Sequence, residues 1–156
     1  MAEQKTAAKR TAKRTSGKAS GTFTDEEKAA ARERVKELKR SPRAGKADGA
    51  RDVLEKISEM DDADRVMAER IHAIVTASAP DLTPKTWYGM PAYAKDGKVL
   101  CFFKPAEKFK VRYATLGFSD VAALDDGNLW PTEFAITSLT KADEKAVRAL
   151  VERALG

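Results

Sequence analysis

Aromatic and basic side chains are concentrated in the middle of the chain, and they are the residues best suited to hold a ligand. Indole and phenol rings offer flat apolar surfaces, while ammonium and guanidinium groups attract an anion. If these side chains share a concave face, they form a pocket for an anionic or planar molecule. The alternative is that the rings belong to the core and the cations to the solvent side of a strand. The predicted ligand-binding residues are Trp87, Tyr88, Met90, Tyr93, Lys104 and Arg112.

Nucleophilic catalysis is the chemistry that the sequence favours least. It needs a nucleophile, a base and a group that orients the base. The single cysteine, Cys101, lies inside an apolar run, where burial raises a thiol pKa and makes the thiol unreactive. His72 is the only histidine, which excludes a metal site or a proton relay built on two histidines. We therefore expect a protein without enzymatic activity.

The excess of positive charge is confined to residues 1–21. The 156 residues include 29 Lys and Arg and 24 Asp and Glu, which gives a net charge of +5. Six of these basic residues and one acidic residue lie in residues 1–21, so the rest of the chain carries 23 of each sign. A segment so poor in apolar side chains cannot offset the entropy of ordering, which predicts a disordered basic tail.

The tail contains the sequence Ala-Lys-Arg-Thr twice in succession. Its cations can bind nucleic acid by releasing counterions from the phosphates. The alternative is that the tail only keeps the protein in solution. The predicted nucleic-acid-binding residues are Lys9, Arg10, Lys13 and Arg14.

Several absences favour a cytoplasmic protein. One cysteine excludes a disulfide within the chain, which suits a reducing compartment. No apolar run approaches the roughly 20 residues of a membrane span. The basic N-terminus is not followed by the apolar stretch of a secretory signal.

Three helices are predicted before the aromatic stretch. Thr24 and Glu27 have the spacing of a capping box, so a first helix should run from about residue 25 to residue 40. Apolar residues at helical spacing predict a second helix over 49–60 and a third over 63–78. The first helix is expected to pack by a thin apolar stripe, which consists of Ala31, Val35 and Leu38.

About four strands and a closing helix are predicted after these helices. Gly89 and Pro91 indicate a fixed bend over residues 88–91, because glycine accepts a positive φ and proline forces the residue before it into an extended conformation. Asp96-Gly97 is a strong signal for a two-residue hairpin turn. Thr140 and Asp143 have the spacing that caps the last helix. The predicted strands are residues 91–95, 98–104, 109–113 and 132–139, and a short helix is expected over 119–124.

Helices that are segregated from strands define an α+β fold. We expect an antiparallel sheet of about four strands, with N-terminal helices and a C-terminal helix packed on it. The expected organisation is a basic tail over 1–21, a charged helix and linker over 22–47, and an α+β domain over 48–156. No glycine-rich phosphate loop follows a predicted strand.

The sequence Tyr88-Gly89-Met90-Pro91, followed by Asp96-Gly97-Lys98 and an apolar strand that ends at Phe103, resembles the YdhG-like family. These are small bacterial proteins, and the resemblance covers roughly residues 48–155. It implies the α+β fold described above. One branch of the family is described as a frataxin-like intracellular iron chaperone. The resemblance therefore implies iron as a cofactor and the proteins of haem or iron–sulfur assembly as partners.

Iron prefers hard oxygen ligands, and the second predicted helix offers carboxylates along one side. Such a ridge can bind iron weakly and release it, as a chaperone requires. The alternative is a solvated helix face, on which Arg51 and Lys56 form ordinary helix ion pairs with these carboxylates. The predicted metal-binding residues are Asp52, Glu55, Glu59 and Asp62.

Overall fold

The computed structural model describes residues 22–39 and 45–156, and within them it contains four helices and a five-stranded antiparallel sheet. The predicted α+β class is confirmed, and the sheet has one strand more than expected. The helices are α1 (Asp25–Lys39), α2 (Lys46–Ser58), α3 (Asp62–Ser78) and α4 (Lys141–Ala154). The strands are β1 (Thr83–Trp87), β2 (Met90–Lys95), β3 (Lys98–Lys104), β4 (Ala114–Phe118) and β5 (Glu133–Ile136).

The sheet is a meander in which each strand pairs with the next one along the chain. Tyr93 in β2 lies opposite Cys101 in β3, and Cys101 lies opposite Phe118 in β4. All three side chains are buried, because α2, α3 and α4 cover this face of the sheet and form the core with it. We call it the core face and the opposite side the outer face.

Both predicted capping boxes are present at the helix starts. The Thr24 N–H donates to the Glu27 carboxylate over 2.9 Å, and the Glu27 N–H donates to the Thr24 hydroxyl over 3.1 Å. Thr140 and Asp143 make the same reciprocal pair at the start of α4, with distances of 2.8 Å and 3.2 Å. These bonds satisfy N–H groups that have no partner within the helix.

Most of the apolar stripe predicted for α1 faces solvent. Ala31 is exposed, and Val35 and Leu38 are 50% and 67% exposed. The buried residue of α1 is Ala30, and the partly buried side around it is charged. The prediction was wrong because α1 lies against a turn and two lysine side chains, which are polar partners, rather than against the apolar core.

Two hairpin turns use left-handed backbone conformations. Asp96 and Gly97 have φ values of 51° and 82°, which confirms the predicted turn between β2 and β3. Tyr88 and Gly89 have φ values of 52° and 72°. The predicted bend at this point is therefore the turn of a second hairpin, and β1 is the strand that the sequence analysis missed.

The region after β3 differs from the prediction. Residues 109–113 form turns, because Lys110 has a φ of 52° and the Val111 N–H donates back to the Ala106 carbonyl over 3.0 Å. The strand lies just beyond, at β4. Residues 119–124 form a single turn rather than a helix, in which the Ala122 N–H donates to the Ser119 carbonyl over 3.0 Å.

Candidate functional site

A groove of about 480 Å³ lies between α1 and the outer face of the sheet. α1 forms one wall, and strands β1 to β5 supply the other wall and the floor. Most of its surface is apolar, and a few charged groups lie among the rings, which is the usual composition of a small-molecule site. The residues that line it are Phe23, Glu27, Lys28, Ala30, Ala31, Trp87, Tyr88, Met90, Phe102, Lys104, Phe109, Thr115 and Glu133.

The aromatic side chains of the groove contact one another. The Trp87 ring lies 5.1 Å from the Tyr88 ring in an edge-to-face arrangement and 5.1 Å from the Phe102 ring at a tilt of 58°. Such ring pairs contribute about 0.5–1.5 kcal/mol beyond the area that they bury, so they hold the indole in a defined orientation. The groove therefore has a preformed aromatic wall.

The pairing register of the sheet places the polar groups on the floor of the groove. Lys104 in β3 lies opposite Thr115 in β4, and Phe102 lies opposite Gly117, which in turn lies opposite Glu133 in β5. Directly paired residues share one face of a sheet. The floor therefore presents an ammonium group, a hydroxyl group and a carboxylate beside an aromatic ring.

The Lys104 ammonium lies 5.1 Å from the centroid of the Phe109 ring, which is a cation–π contact. Within residues 22–39 and 45–156 it has no carboxylate at ion-pair distance. A cation that is partly buried between rings and lacks a counter-ion attracts an anionic group more strongly than a cation in open solvent does.

The structure brings four of the six predicted ligand-binding residues to this groove: Trp87, Tyr88, Met90 and Lys104. The prediction is wrong for Tyr93 as a groove residue, because alternation along β2 directs its side chain to the core face, where it is 1% exposed. Arg112 also lies apart. Its guanidinium stacks on Tyr113, 5.2 Å from the ring centroid, in the turn region before β4.

The other half of the groove was not predicted from the sequence. Phe23 lies just before α1, and Ala30 and Ala31 lie within it, but no ligand-binding role was predicted for this helix. Phe102 was visible as part of an aromatic pair, but its pairing with Gly117 depends on β4, which was not predicted. One signal in the sequence could have indicated this half of the groove. Phe109 is an aromatic residue five positions after Lys104, but it was assigned to the predicted strand over 109–113 rather than to the ligand site.

The carboxylates of the predicted iron ridge lie along α2 and at the start of α3. Glu55 is exposed, and Glu59 is exposed and lies 3.3 Å from Lys56. Asp62 lies 2.8 Å from Arg65. The described part of the chain contains no group of three or more histidine, cysteine or acidic side chains placed to hold one metal ion. Iron binding by Asp52 and its neighbours stays a prediction.

The predicted nucleic-acid-binding residues, Lys9, Arg10, Lys13 and Arg14, lie outside the residues that the structure describes. The same holds for the predicted disorder of residues 1–21. Both stay predictions.

The carboxylates of α1 join this helix to the turn between β1 and β2. The Tyr88 N–H donates to Glu37 Oε2 over 3.1 Å, and the Gly89 N–H donates to Glu37 Oε1 over 2.9 Å. One turn earlier, Glu33 Oε1 accepts from Lys108 Nζ over 3.2 Å. Glu33 Oε2 lies 3.3 Å from Lys56 Nζ, in ion-pair contact but out of line for a hydrogen bond. Charged contacts thus position the wall of the groove.

The docking of α1 should depend on pH at both extremes. Burial by itself raises the pKa of Glu33, but the ammonium groups of Lys108 and Lys56 outweigh it, and the pKa lies below its ordinary value of 4.5. Burial by itself lowers the pKa of Lys56. The carboxylates of Glu33 and Glu59 outweigh it, so this pKa lies above its ordinary value of 10.5. Because its pKa is lowered, the charged Glu33 carboxylate stabilises docking above pH 4.5. This stabilisation is lost as the pH falls through the pKa of Glu33 in the folded protein. Because its pKa is raised, the charged Lys56 ammonium stabilises docking below pH 10.5. This stabilisation is lost as the pH rises through the pKa of Lys56 in the folded protein.

The side-chain carboxyl resonance of Glu33 reports the charge of this carboxylate directly. We expect its titration midpoint to lie below 4.5, the ordinary value for a glutamate. A cavity of about 310 Å³ lies beside Glu33, Lys56 and Lys108. Other charged groups line it, and they must be followed in parallel: Glu59, Asp61, Asp64, Glu107 and Lys110. Detachment of α1 well above pH 4.5 would contradict the assigned contacts.

The single cysteine and the single histidine are both engaged on the core face. Cys101 is fully buried, and burial raises the pKa of its thiol to about 12. His72 is half-buried, and its Nδ1 shares a hydrogen bond of 2.9 Å with the hydroxyl of Tyr93. Burial lowers the pKa of His72 and raises that of Tyr93, so both side chains are neutral at physiological pH.

Replacing His72 with alanine should destabilise the fold more than replacing Tyr93 with phenylalanine. The first change leaves a buried hydroxyl without its partner, which costs about 1–3 kcal/mol. The second removes that hydroxyl and leaves His72 with access to water, so we expect a loss below about 1 kcal/mol. Urea unfolding of both variants measures the difference. The double variant should be more stable than His72→Ala alone, and equal losses for the two single variants would contradict a hydrogen bond.

A scan against models of protein families, a search of curated proteins and a search of solved structures found no match for this chain. Its resemblance to the YdhG-like family therefore stays a prediction that rests on the motif from Tyr88 to Phe103. None of the helices that the structure describes is long and apolar enough to cross a membrane.

Proposed function

We propose that the protein is a non-enzymatic, cytoplasmic ligand-binding protein, and that the groove between α1 and the outer face of the sheet holds a planar aromatic anion. The observation that carries the proposal is the position of Lys104, an ammonium without a carboxylate partner in the described chain that lies among the rings of the groove.

The shape and lining of the groove favour a flat apolar body for the ligand. Trp87 and Phe102 hold their rings 5.1 Å apart, and Phe109 lies beside Lys104. An aromatic ligand that enters here removes its own faces and those of these rings from water, which favours binding by roughly 25 cal/mol per Å² of apolar surface. Because the rings of Trp87, Tyr88 and Phe102 are already packed against one another, little side-chain ordering opposes this gain.

The charge distribution favours an anionic group at one end of the ligand. Lys104 and Thr115 lie side by side on the floor, so an ammonium and a hydroxyl can both donate to a carboxylate. Glu133 lies further along the floor, beyond Gly117, and would repel an anion placed there. The proposal therefore orients the anionic group of the ligand toward Lys104.

A non-enzymatic role is supported by the positions of the groups that most often act as nucleophiles or bases. The thiol of Cys101 and the imidazole of His72 lie on the core face, away from the groove. The iron-chaperone role and the binding of nucleic acid by the tail are separate predictions, and the groove depends on neither.

Calorimetric titration with small aromatic probes tests the proposal. We expect naphthoate to bind saturably, with the matched cation naphthylmethylamine weaker by about tenfold or more and acetate without measurable binding. Comparing naphthoate with naphthylmethylamine isolates the contribution of the charge. Comparing naphthoate with acetate isolates the contribution of the ring. Equal affinity for naphthoate and naphthylmethylamine, or no saturable binding of naphthoate, would contradict the proposal.

Two substitutions in the groove should separate the contribution of the charge to binding from that of the aromatic rings. Lys104→Gln removes the charge and slightly shortens the side chain, so it should weaken the binding of naphthoate by about tenfold and should not weaken that of naphthylmethylamine. Trp87→Ala removes the ring contact and should weaken both probes. The control is Arg112→Gln, an exposed cation outside the groove, which should change neither.

A further inference from the structure

The turn between β1 and β2 is itself a receptor for a carboxylate. A two-residue hairpin turn leaves the N–H groups of its central residues outside the ladder of the sheet, so they need another acceptor. Here the central residues are Tyr88 and Gly89, and each donates to a different oxygen of the Glu37 carboxylate. Successive N–H groups of a turn can form a concavity that binds an anion.

The conformation of Tyr88 gives this turn an unusual cost. Its φ of 52° is left-handed, a conformation that costs a non-glycine residue roughly 1–2 kcal/mol. Such strain persists only where surrounding contacts maintain it. The bidentate carboxylate is one such contact. The guanidinium of Arg34 is a second one, because it lies 5.6 Å from the centroid of the Tyr88 ring.

A second anion position lies one helical turn away. The ammonium groups of Lys56, from α2, and Lys108, from the loop after β3, both lie against the Glu33 carboxylate, at 3.3 Å and 3.2 Å. We call the N–H groups of Tyr88 and Gly89, together with these two ammonium groups, the cradle. It contributes four positive or hydrogen-bond-donating groups and accepts two carboxylates spaced as residues i and i+4 of a helix.

α1, which occupies the cradle, is held there with little burial of apolar surface. Within α1 only Ala30 is buried, while Val35 and Leu38 point to solvent. Exposed or half-exposed ion pairs contribute only about 0–1 kcal/mol each. The contact between α1 and the domain is therefore weak enough for a second segment of the same chemistry to compete with it.

We infer that the cradle is a docking site for an acidic helical segment of a partner protein, and that α1 occupies it as an intramolecular substitute. The partner segment carries two carboxylates one helical turn apart, in the places of Glu33 and Glu37. The match is specific because one carboxylate meets two consecutive backbone N–H groups and the other meets two separate ammonium groups. The inference concerns the cradle and does not depend on whether the groove binds a ligand.

A labelled peptide with the sequence of residues 22–39 serves as the probe of the cradle. Binding to the full chain is measured by fluorescence anisotropy. In the wild-type chain the tethered α1 competes at an effective concentration near the millimolar range, so the peptide should bind weakly. In the chain with Glu33→Gln and Glu37→Gln the cradle is vacated while its donors remain. We expect the peptide to bind this variant at least tenfold more tightly than the wild type.

Three controls define the result. A chain with Glu69→Gln and Glu152→Gln loses the same charge on exposed helix faces, and its peptide binding should equal that of the wild type. Adding Lys56→Gln and Lys108→Gln to the vacated chain should abolish the gain, as should a peptide that carries Glu33→Gln and Glu37→Gln. Circular dichroism checks that each variant is folded.

Three outcomes would overturn the inference. The first is no tighter binding to the vacated chain, and the second is tight binding that ignores the loss of both lysines. The third is dimerisation of the wild-type chain by exchange of α1, which sedimentation would detect and which would make a second copy the occupant instead of a partner protein.

Discussion

Replacing Gly49 with alanine should lower the free energy of unfolding by about 2 kcal/mol, although alanine is the better helix former. Gly49 lies within α2, where this exchange would normally stabilise a helix by about 0.5–1 kcal/mol. A Cβ atom at this position would lie 2.0 Å from the carbonyl oxygen of Pro84 in β1. The obstacle is backbone rather than a movable side chain, so α2 and β1 must separate, and such overpacking costs about 1–3 kcal/mol.

Urea unfolding of Gly49→Ala measures this loss. Glu55→Ala introduces alanine on the exposed side of the same helix and should change the free energy of unfolding by less than about 0.5 kcal/mol. A Gly49→Ala variant as stable as the wild type, or more stable, would show that α2 does not approach β1 closely.

Replacing Gly117 with alanine should close the groove while changing the stability little. A Cβ atom here would lie 2.2–2.8 Å from the outer atoms of the Phe102 ring, which now covers Gly117. The ring is partly exposed and lines the groove, so a movement that makes room for the methyl group changes the shape of the groove. We expect the affinity for naphthoate to fall by about tenfold or more. The free energy of unfolding should change by about 1 kcal/mol or less, because overpacking and the removal of a strand glycine act in opposite directions.

Calorimetry and urea unfolding of the same Gly117→Ala preparation measure both quantities. In the double variant with Gly117→Ala and Phe102→Leu, the loss of unfolding free energy should be smaller than the sum of the two single losses. The smaller side chain leaves room for the new methyl group. Unchanged naphthoate affinity in Gly117→Ala would contradict the placement of the ligand over Phe102.

Features encoded by a few neighbouring residues were predictable from the sequence. Asp96-Gly97 predicted its hairpin because few dipeptides accept two left-handed conformations in succession. The capping box of Thr24 and Glu27 was predictable because a reciprocal hydrogen-bonded pair needs only the correct spacing. The α+β class followed from the segregation of helical and strand patterns.

The errors lie where tertiary contacts override a local pattern. Residues 109–113 alternate between apolar and basic, yet Lys110 takes a left-handed conformation and the segment turns. The real strand, Ala114–Phe118, is buried at every position, so it shows no alternation. Val35 and Leu38 of the predicted stripe face solvent, because this half of α1 contacts the domain through N–H groups and lysines.

The candidate site was predictable only in part for the same reason. Trp87, Tyr88, Met90 and Lys104 were found from residue type and proximity in sequence. The groove also needs α1 as a wall and the pairing of Phe102 with Gly117, both of which are long-range contacts. Tyr93 was assigned to the site by its type alone, and the alternation of β2 directs it to the core.

Mapping the amide chemical shifts during a titration with naphthoate would show directly whether the groove binds a planar aromatic anion. We expect saturable shifts that cluster at Trp87, Met90, Phe102, Lys104 and Thr115, with the core-face residues Tyr93 and Cys101 little affected. Shifts that cluster elsewhere, or that rise linearly without saturation, would contradict the proposed binding.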